Sequence, residues 1–240
     1  LEDKLRIDVT KLFLRIQQKQ RALENQKSII SRAEEEYQAM KKKVESGFMT
    51  DTDLRAYEVT IDKAKTRLDS IQRELDNLAA DFNDKLGLPY ETEVKLKLTA
   101  LPEESLEIPS IGEIAVIVAE NSQDVKALES DSLLNYDYEI RNKKVSVELK
   151  VRSDYNNLLN LEDDIKISEL NYNQMVRLAE IEKKRMELDI STQLDYIRAE
   201  ENRDNAYVAL CEAKLNYYIA LQDFKFLISP AKSAEEYTEE

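Results

Sequence analysis

The sequence predicts an all-α protein built from two long antiparallel coiled-coil hairpins in tandem repeat, with a short extended or β segment between them. Three observations predict this fold class: few helix-breaking residues, a heptad spacing of apolar residues, and an internal repeat. The 240 residues include 3 Gly, 4 Pro, 1 Cys and no His or Trp. β-Sandwiches and nucleotide-binding α/β sheets need more glycine and proline for their bends and phosphate loops, so both classes are disfavoured.

The positions of the helix breakers define the elements. All glycines and prolines except Gly47 and Pro230 fall between positions 87 and 112, and the other stretches can be continuously helical. We expect a helical hairpin over 1–88, an extended connector with a short strand over 89–112, a second helical hairpin over 113–229 and a disordered acidic tail over 230–240. Within the second hairpin we expect a short helix over about 111–119 and long helices over about 124–188 and 192–228.

Apolar residues of the first hairpin recur at heptad spacing, with Lys19 and Gln26 as polar members of the same register. Two antiparallel helices would bury these stripes against each other. Gly47 can adopt positive φ at the turn between them, and Thr50 or Asp51 can cap the second helix. The stripes are Leu5, Val9, Leu12, Ile16, Leu23, Ile30, Ala33, Tyr37, Met40 and Val44, then Tyr57, Ile61, Ala64, Leu68, Ile71, Leu75, Leu78 and Phe82.

The connector contains an alternating segment, Val94 to Thr99, which predicts one short strand or extended arm. A lone strand needs a partner. Another copy of the chain and the C-terminal tail are both open as partners for this one.

An internal repeat relates the two hairpins at an offset of 142 residues. Over 41–82, eleven of 42 aligned residues are identical, and several polar identities cluster at the turn. The heptad stripe transfers to the last helix, where only Arg203 interrupts it. That helix also has a second apolar row, made of Val208, Cys211, Leu215 and Tyr218, whereas we expect polar or weak second rows on the other helices.

Charge and composition exclude several functions. With 49 acidic and 35 basic residues, the net charge of −14 disfavours binding to nucleic acid. Without histidine, and with Cys211 lacking an activating base, we expect no enzyme, no cofactor and no metal site. The triplet from Asp51 to Asp53 is interpreted as a helix cap first, a docking surface second and a metal site last. No apolar run approaches the ~20 residues that cross a bilayer.

The turn motifs resemble those of TolC-family outer membrane efflux proteins. The first copy runs from Tyr37 through Val44-Glu45-Ser46-Gly47-Phe48-Met49-Thr50 to Asp53-Leu54, and an Ala/Leu heptad leads from it to Leu86-Gly87-Leu88-Pro89. The second copy is Met186-Glu187-Leu188-Asp189-Ile190-Ser191-Thr192 with Asp195. The segment from Ile114 to Leu128 is similar to the short helix that opens a family repeat.

The resemblance implies a homotrimer in which each subunit contributes two hairpins to a helical barrel, located in the outer membrane and periplasm. It implies that the hairpin tips dock a periplasmic adaptor (membrane fusion) protein, and through it an inner-membrane pump, in tripartite efflux or type I secretion. The implied tip residues are Ser46, Gly47, Phe48, Met49, Thr50, Leu188, Asp189, Ile190, Ser191 and Thr192. Asp53 and Asp195 occupy positions that line the entrance in the family.

The sequence also departs from the family pattern. Asp189 replaces the turn glycine of the second repeat, and Ser191, Met186 and Arg198 differ from residues common there. The alternating segments of about ten residues that form the family's membrane strands are missing, and the first repeat begins at Leu5. We expect either a trimmed fragment or a relative that lacks those strands. The alternative function is a non-channel envelope scaffold or spacer, which a monomer or dimer would indicate.

Overall fold

The computed structural model describes residues 2–97, 108, 110–130 and 137–229, and these residues confirm the all-α prediction. Helices hold most of the described residues, and no β-strand occurs among them. The helices are α1 (Glu2–Glu45), α2 (Asp51–Leu86), α3 (Ile111–Asn121), α4 (Gln123–Ser130), α5 (Asp137–Glu187) and α6 (Gln193–Leu227). The chain divides into two compact units, residues 1–100 with 166–215 and residues 101–165 with 216–240.

In the first unit, α1 and α2 form the predicted antiparallel hairpin. The two polar residues in the heptad register both bridge the helices. Gln26 is buried and donates a hydrogen bond to the Ala64 carbonyl (3.1 Å), and the Lys19 ammonium lies 2.5 Å from the Glu74 carboxylate. Because these bonds need matched positions on the two helices, they fix the register that the apolar stripe alone leaves free to slide.

Helix α1 is buried more widely than its heptad stripe predicts. Ala22 and Ile29 form a second buried row beside that stripe, so the expectation of a weak second row on this helix is wrong. The reason is that α1 has neighbours besides α2. Gln18 donates to the Val208 carbonyl of α6 (3.3 Å), and Gln20 donates to the Val94 carbonyl of the chain that follows α2 (3.3 Å).

The second unit has its own apolar core, formed by α3, the start of α5 and the end of α6. The small residues of α3 lie against larger side chains, and the Tyr155 ring lies 6.0 Å from the Phe224 ring. The fully packed members are Ala115, Val118, Val151, Leu158, Leu221, Phe224 and Ile228.

The long helix expected over 124–188 is described as two helices, α4 and α5. Helix α3 continues two residues beyond the predicted end, and Ser122 then separates it from α4. The Ser122 backbone is extended (φ −65°, ψ 140°) and its hydroxyl accepts a hydrogen bond from the Val125 amide (3.2 Å). This serine caps α4, a start signal that the sequence interpretation overlooked. Residues 131–136 and the predicted tail, 230–240, lie outside the described residues.

The connector does not pair as a strand in its described part. Residues 92–97 form no β-ladder, and residues 98–99 of the predicted strand lie outside the described range. Side-chain amides of α1 bond to its carbonyls instead, since Gln17 donates to the Lys97 carbonyl and Gln20 to that of Val94. Residues 94–97 therefore fit the extended-arm alternative in the single chain, where α1 side chains satisfy two of their carbonyls. Pairing of this segment with another copy or with the tail stays a prediction.

Asn83 holds the start of the connector against the end of α2. Its side chain is 0% exposed and its amide nitrogen donates to the carbonyls of Tyr90 (3.2 Å) and Thr92 (2.8 Å). Gly87 takes positive φ (68°) at the helix end, and the Leu88 amide donates back to the Asn83 carbonyl (2.8 Å). This residue therefore stabilises the chain reversal both through its side chain and through its backbone.

We expect Asn83→Ala to lower the free energy of unfolding by about 1–3 kcal/mol, because the buried Asn83 side chain loses two hydrogen bonds to backbone carbonyls. Hydrogen exchange should become faster around Tyr90 to Lys97, where the connector is released. Asn77→Ala is the matched control, since Asn77 is exposed on the same helix. Equal effects of the two substitutions on denaturant unfolding and exchange would contradict the latch role.

Candidate functional site at the two hairpin tips

The first tip turns on a tight left-handed cap. Gly47 has φ 75°, its amide donates to the Val44 carbonyl (2.9 Å), and the Phe48 amide donates to the Lys43 carbonyl (2.9 Å). These two bonds form a Schellman motif, which satisfies carbonyls left open at the end of α1. A Cβ atom built on Gly47 would meet nothing within 4 Å, so the backbone conformation is what favours glycine here.

The next helix begins on a complete capping box. The Thr50 hydroxyl accepts from the Asp53 amide (3.3 Å), and the Asp53 carboxylate accepts from the Thr50 amide (3.2 Å) and hydroxyl (2.6 Å). Only the five residues 46–50 therefore separate the end of α1 from the start of α2, and Thr50 among them is the N-cap. The cap confirms Thr50, rather than Asp51, as the capping residue.

The second tip repeats this geometry bond for bond at the offset of 142. The Asp189 amide donates to the Met186 carbonyl (3.0 Å) and the Ile190 amide to the Arg185 carbonyl (2.8 Å). The Thr192 hydroxyl donates to the Asp195 carboxylate (2.6 Å), as in the first box. The tandem repeat thus extends to individual hydrogen bonds.

Asp189 is the residue that replaces the turn glycine, and its φ is 57°. Aspartate tolerates this left-handed region better than most residues, although it lacks the freedom of glycine. The substitution therefore preserves the turn, and it places a carboxylate where the first tip has no side chain.

The two tips differ in what lies behind the turn. In the second tip the Ser191 hydroxyl donates to the Glu182 carboxylate (2.7 Å), which also pairs with Arg185 (2.7 Å). The equivalent residues of the first tip are Met49, half-buried, and Met40, buried. A hydrogen-bonded pair in one copy thus replaces a pair of apolar side chains in the other. This exchange accounts for Ser191, which the sequence comparison registered only as a departure from the family pattern.

Both tips expose apolar side chains. Phe48 is 86% exposed, Leu188 68% and Ile190 64%. Ser46, Gly47, Thr50, Asp189 and Thr192 are exposed beside them. Exposed large apolar residues grouped at a protruding turn are typical of an interaction surface.

The two aspartates predicted to line an entrance are exposed at the starts of α2 and α6. The Thr50 hydroxyl lowers the pKa of Asp53, and the Thr192 hydroxyl lowers that of Asp195, with Arg198 adding a smaller lowering effect. Hydrogen bonds to the ionised form are the physical cause in both cases. Each carboxylate thus forms the hydrogen bonds of a helix cap. Within the described residues, no group of three acidic, cysteine or histidine side chains is arranged to hold a metal ion.

A charged cluster between α1 and α6 was missed at the sequence level. The Arg32 guanidinium of α1 reaches the carboxylates of Glu200 (3.4 Å) and Asp204 (2.5 Å) on α6. Arg203 binds the same two carboxylates, at 3.3 and 2.7 Å. Arg203 is the residue that interrupts the heptad stripe. Glu200 and Asp204 are identical to the residues aligned with them in the first repeat, Glu58 and Asp62. The interrupted stripe and these two identities were the sequence signals that could have indicated the cluster.

Comparison with known proteins shows which solved structures share this fold. No protein-family model and no curated protein matches the sequence. Among solved structures, the outer membrane protein VceC from Vibrio cholerae matches with a TM-score of 0.66 and 12% identity, over 94% of this chain and 70% of that one. The Campylobacter jejuni CmeC outer membrane channel gives 0.66 and 12%, over 98% and 66%. The Neisseria gonorrhoeae MtrE outer membrane channel in its open state gives 0.62 and 16%, over 94% and 66%.

The chain has a TolC-like fold. It spans about two thirds of the length of these channels. Within the described residues, no helix combines the length and apolar character that crossing a membrane requires. The identities of 12–16% support the fold and leave function to be argued from the residues of this chain.

The caps predict a pH dependence. Because the pKa of each aspartate is lowered in the folded state, the caps contribute stability that is fully present above the unfolded pKa, about 3.9. This contribution is lost as the pH falls through the lower folded values. Thermal unfolding from pH 7 to pH 2 should show a smaller acid-induced loss in Asp53→Asn with Asp195→Asn than in the wild type.

The control for this measurement is Asp69→Asn with Asp76→Asn, two changes on exposed faces of α2 away from the caps. An acid-induced loss that the cap substitutions leave unchanged would contradict the assignment.

Proposed function

We propose that this chain is a subunit of an envelope channel, in which three copies form a helical conduit at the outer membrane and periplasm. In this proposal the tips dock a periplasmic adaptor protein, which connects the conduit to an inner-membrane pump in an efflux or type I secretion system. The observation that carries the proposal is the TolC-like fold together with tips that are rigidly capped and apolar at their ends.

Helix α5 supports lateral assembly. It buries Val151, Leu158 and Ala179 on one side. On the opposite side it exposes a row of large apolar residues within the first unit: Ile167, Leu170, Leu178 and Ile181. A surface helix of a soluble monomer normally has one apolar stripe. A second stripe needs a partner surface, and a second copy of the chain is the partner that a closed ring provides.

The ordered backbone of the two turns supports a docking role for the tips. Each turn holds its exposed apolar residues on backbone fixed by a Schellman motif and a capping box. Presenting an exposed aromatic side chain on a preordered backbone reduces the entropy lost on binding. Asp53 and Asp195 have a structural explanation in these caps, and their proposed place at the entrance depends on the trimer.

The alternative is a scaffold that spaces envelope partners without a pore. It uses the same tips but needs no ring. Subunit number separates the two proposals, because a conduit needs a closed assembly and a spacer functions as a monomer or dimer.

Native mass spectrometry should give a mass three times the chain mass of 27.9 kDa. Leu170→Glu should raise the dissociation concentration at least tenfold, since it removes about 1.5–3 kcal/mol of apolar burial per subunit and adds a charge. Asn173→Glu, an exposed change on the same turn of α5 but off the apolar row, should leave the trimer intact. A wild-type monomer or dimer would favour the spacer.

Phe48→Ser should weaken adaptor binding by about 30-fold or more, as expected for an exposed aromatic anchor at the centre of an interface. The matched control is Phe226→Ser, which removes the same side chain from an exposed position on α6. Binding of the periplasmic adaptor of the same organism would be measured by surface plasmon resonance. Equal adaptor affinities for the two variants would rule out the tip as the docking surface.

A further inference from the structure

Each tip is preceded by a run of three basic residues. Lys41 to Lys43 end α1, and the run from Lys183 to Arg185 occupies the same place on α5. These are the only two places in the 240 residues where three basic residues are consecutive. All six side chains are exposed. A chain with net charge −14 thus collects its cations just behind the apolar ends of both tips.

The helix dipole explains part of this pattern but not its extent. Basic residues in a last turn stabilise the partial negative charge at a helix C-terminus. Helices α2 and α6 meet that need with one residue each, Lys85 and Lys225. Three consecutive basic residues at each tip are more than the helix dipole requires. Because successive residues of a helix point in different directions, the run spreads positive charge around the helix end and not along one face.

Among the residues that the structure describes, the five lysines of these runs form no ion pair. Elsewhere in the described chain, several lysines pair with carboxylates, as Lys65 does with Glu34 (2.7 Å) and Lys150 with Asp154 (3.0 Å). In the tip runs only Arg185 makes an ion pair within the described residues, with Glu182. Five ammonium groups therefore remain available to a partner.

We propose that the partner of the tips presents an acidic face, with an apolar socket for Phe48, Leu188 and Ile190 inside a rim of carboxylates. This inference rests on the proposed docking function and specifies the chemistry of the docked surface. Interfaces commonly combine an apolar centre with a charged rim, and complementary charges there select the partner. Because the chain as a whole is acidic, an acidic partner would be repelled along the helices and attracted only at the tips.

A protein surface fits this pattern better than an anionic bilayer does. Glu45, Asp51 and Asp189 are exposed among the lysines of the two tips. A bilayer of anionic lipid presents uniform negative charge and would repel these carboxylates as it attracts the lysines. A folded partner can place its own carboxylates opposite the lysines alone.

The test first identifies the docked surface. A photoreactive benzoylphenylalanine at position 48 of the full-length protein, activated in intact cells, would cross-link the partner, and mass spectrometry would locate the joined segment. We expect a protein segment with a net negative charge. Affinity of the purified wild-type and variant proteins for the captured protein is then compared, with vesicles of phosphatidylglycerol as a parallel probe.

Lys42→Gln with Lys184→Gln should weaken binding to the captured protein by about tenfold, the loss of two interfacial charge pairs. Lys42→Arg with Lys184→Arg should retain the affinity. The matched control is Lys27→Gln with Lys63→Gln, which removes the same charge from exposed sites along α1 and α2. Circular dichroism would verify that all variants remain folded.

The outcomes separate this inference from the proposed function. If Phe48→Ser abolishes binding while the Lys42 and Lys184 variant binds like the wild type, docking stands and the acidic partner is wrong. A neutral or basic cross-linked segment, or tight binding to phosphatidylglycerol vesicles in place of a protein, also overturns the inference. Absence of any protein cross-link overturns both.

Discussion

The fold depends on ending and restarting a helix within a few residues. Helix α1 has 44 residues, and its last carbonyls and the first amides of α2 must all find partners at the reversal. The Schellman bonds around Gly47 and the box between Thr50 and Asp53 supply several of these partners within a short turn. The turn then adds little conformational freedom, so the heptad register set along the helices extends to the tip.

The heptad pattern, the caps and the repeat could all be predicted from the sequence because each is a local signal. Gly47, Thr50 and the stripe from Leu12 to Met40 need only their own neighbours to be interpreted. The partners of the α1 glutamines could not be predicted in this way. Gln17, Gln18 and Gln20 donate to carbonyls 74–190 residues away, and any carbonyl looks alike in a sequence. The same limit explains the strand predicted over 94–99, since alternation indicates an extended backbone but not what satisfies it.

The repeat shows which features of a tip are constrained by folding. The backbone bonds and the Thr–Asp cap are kept in both copies, whereas the residues behind the turn change as a pair. The first copy has Met40, buried, and Met49, half-buried, where Ser191 donates a hydrogen bond to Glu182 in the second. A mixed pair would lose the Ser191–Glu182 hydrogen bond without gaining an apolar contact, so a change at both positions keeps the two side chains matched in polarity. Sequence comparison treats the two positions separately, which is why it registered Ser191 only as a departure.

The distribution of charge separates the sides of the hairpins from their ends. Along the sides, acidic residues are in excess, and contact between copies of such a chain is favourable only where apolar side chains displace the charged ones. The face of α5 that carries Leu170 and Ile181 meets that condition. At the ends, lysines that form no ion pair within the described residues precede the exposed apolar residues, and their charge disfavours contact with another cationic tip. The two kinds of surface therefore favour different partners: in the proposed assembly, apolar contact at the sides joins copies of the chain and leaves the cationic tips for a different protein.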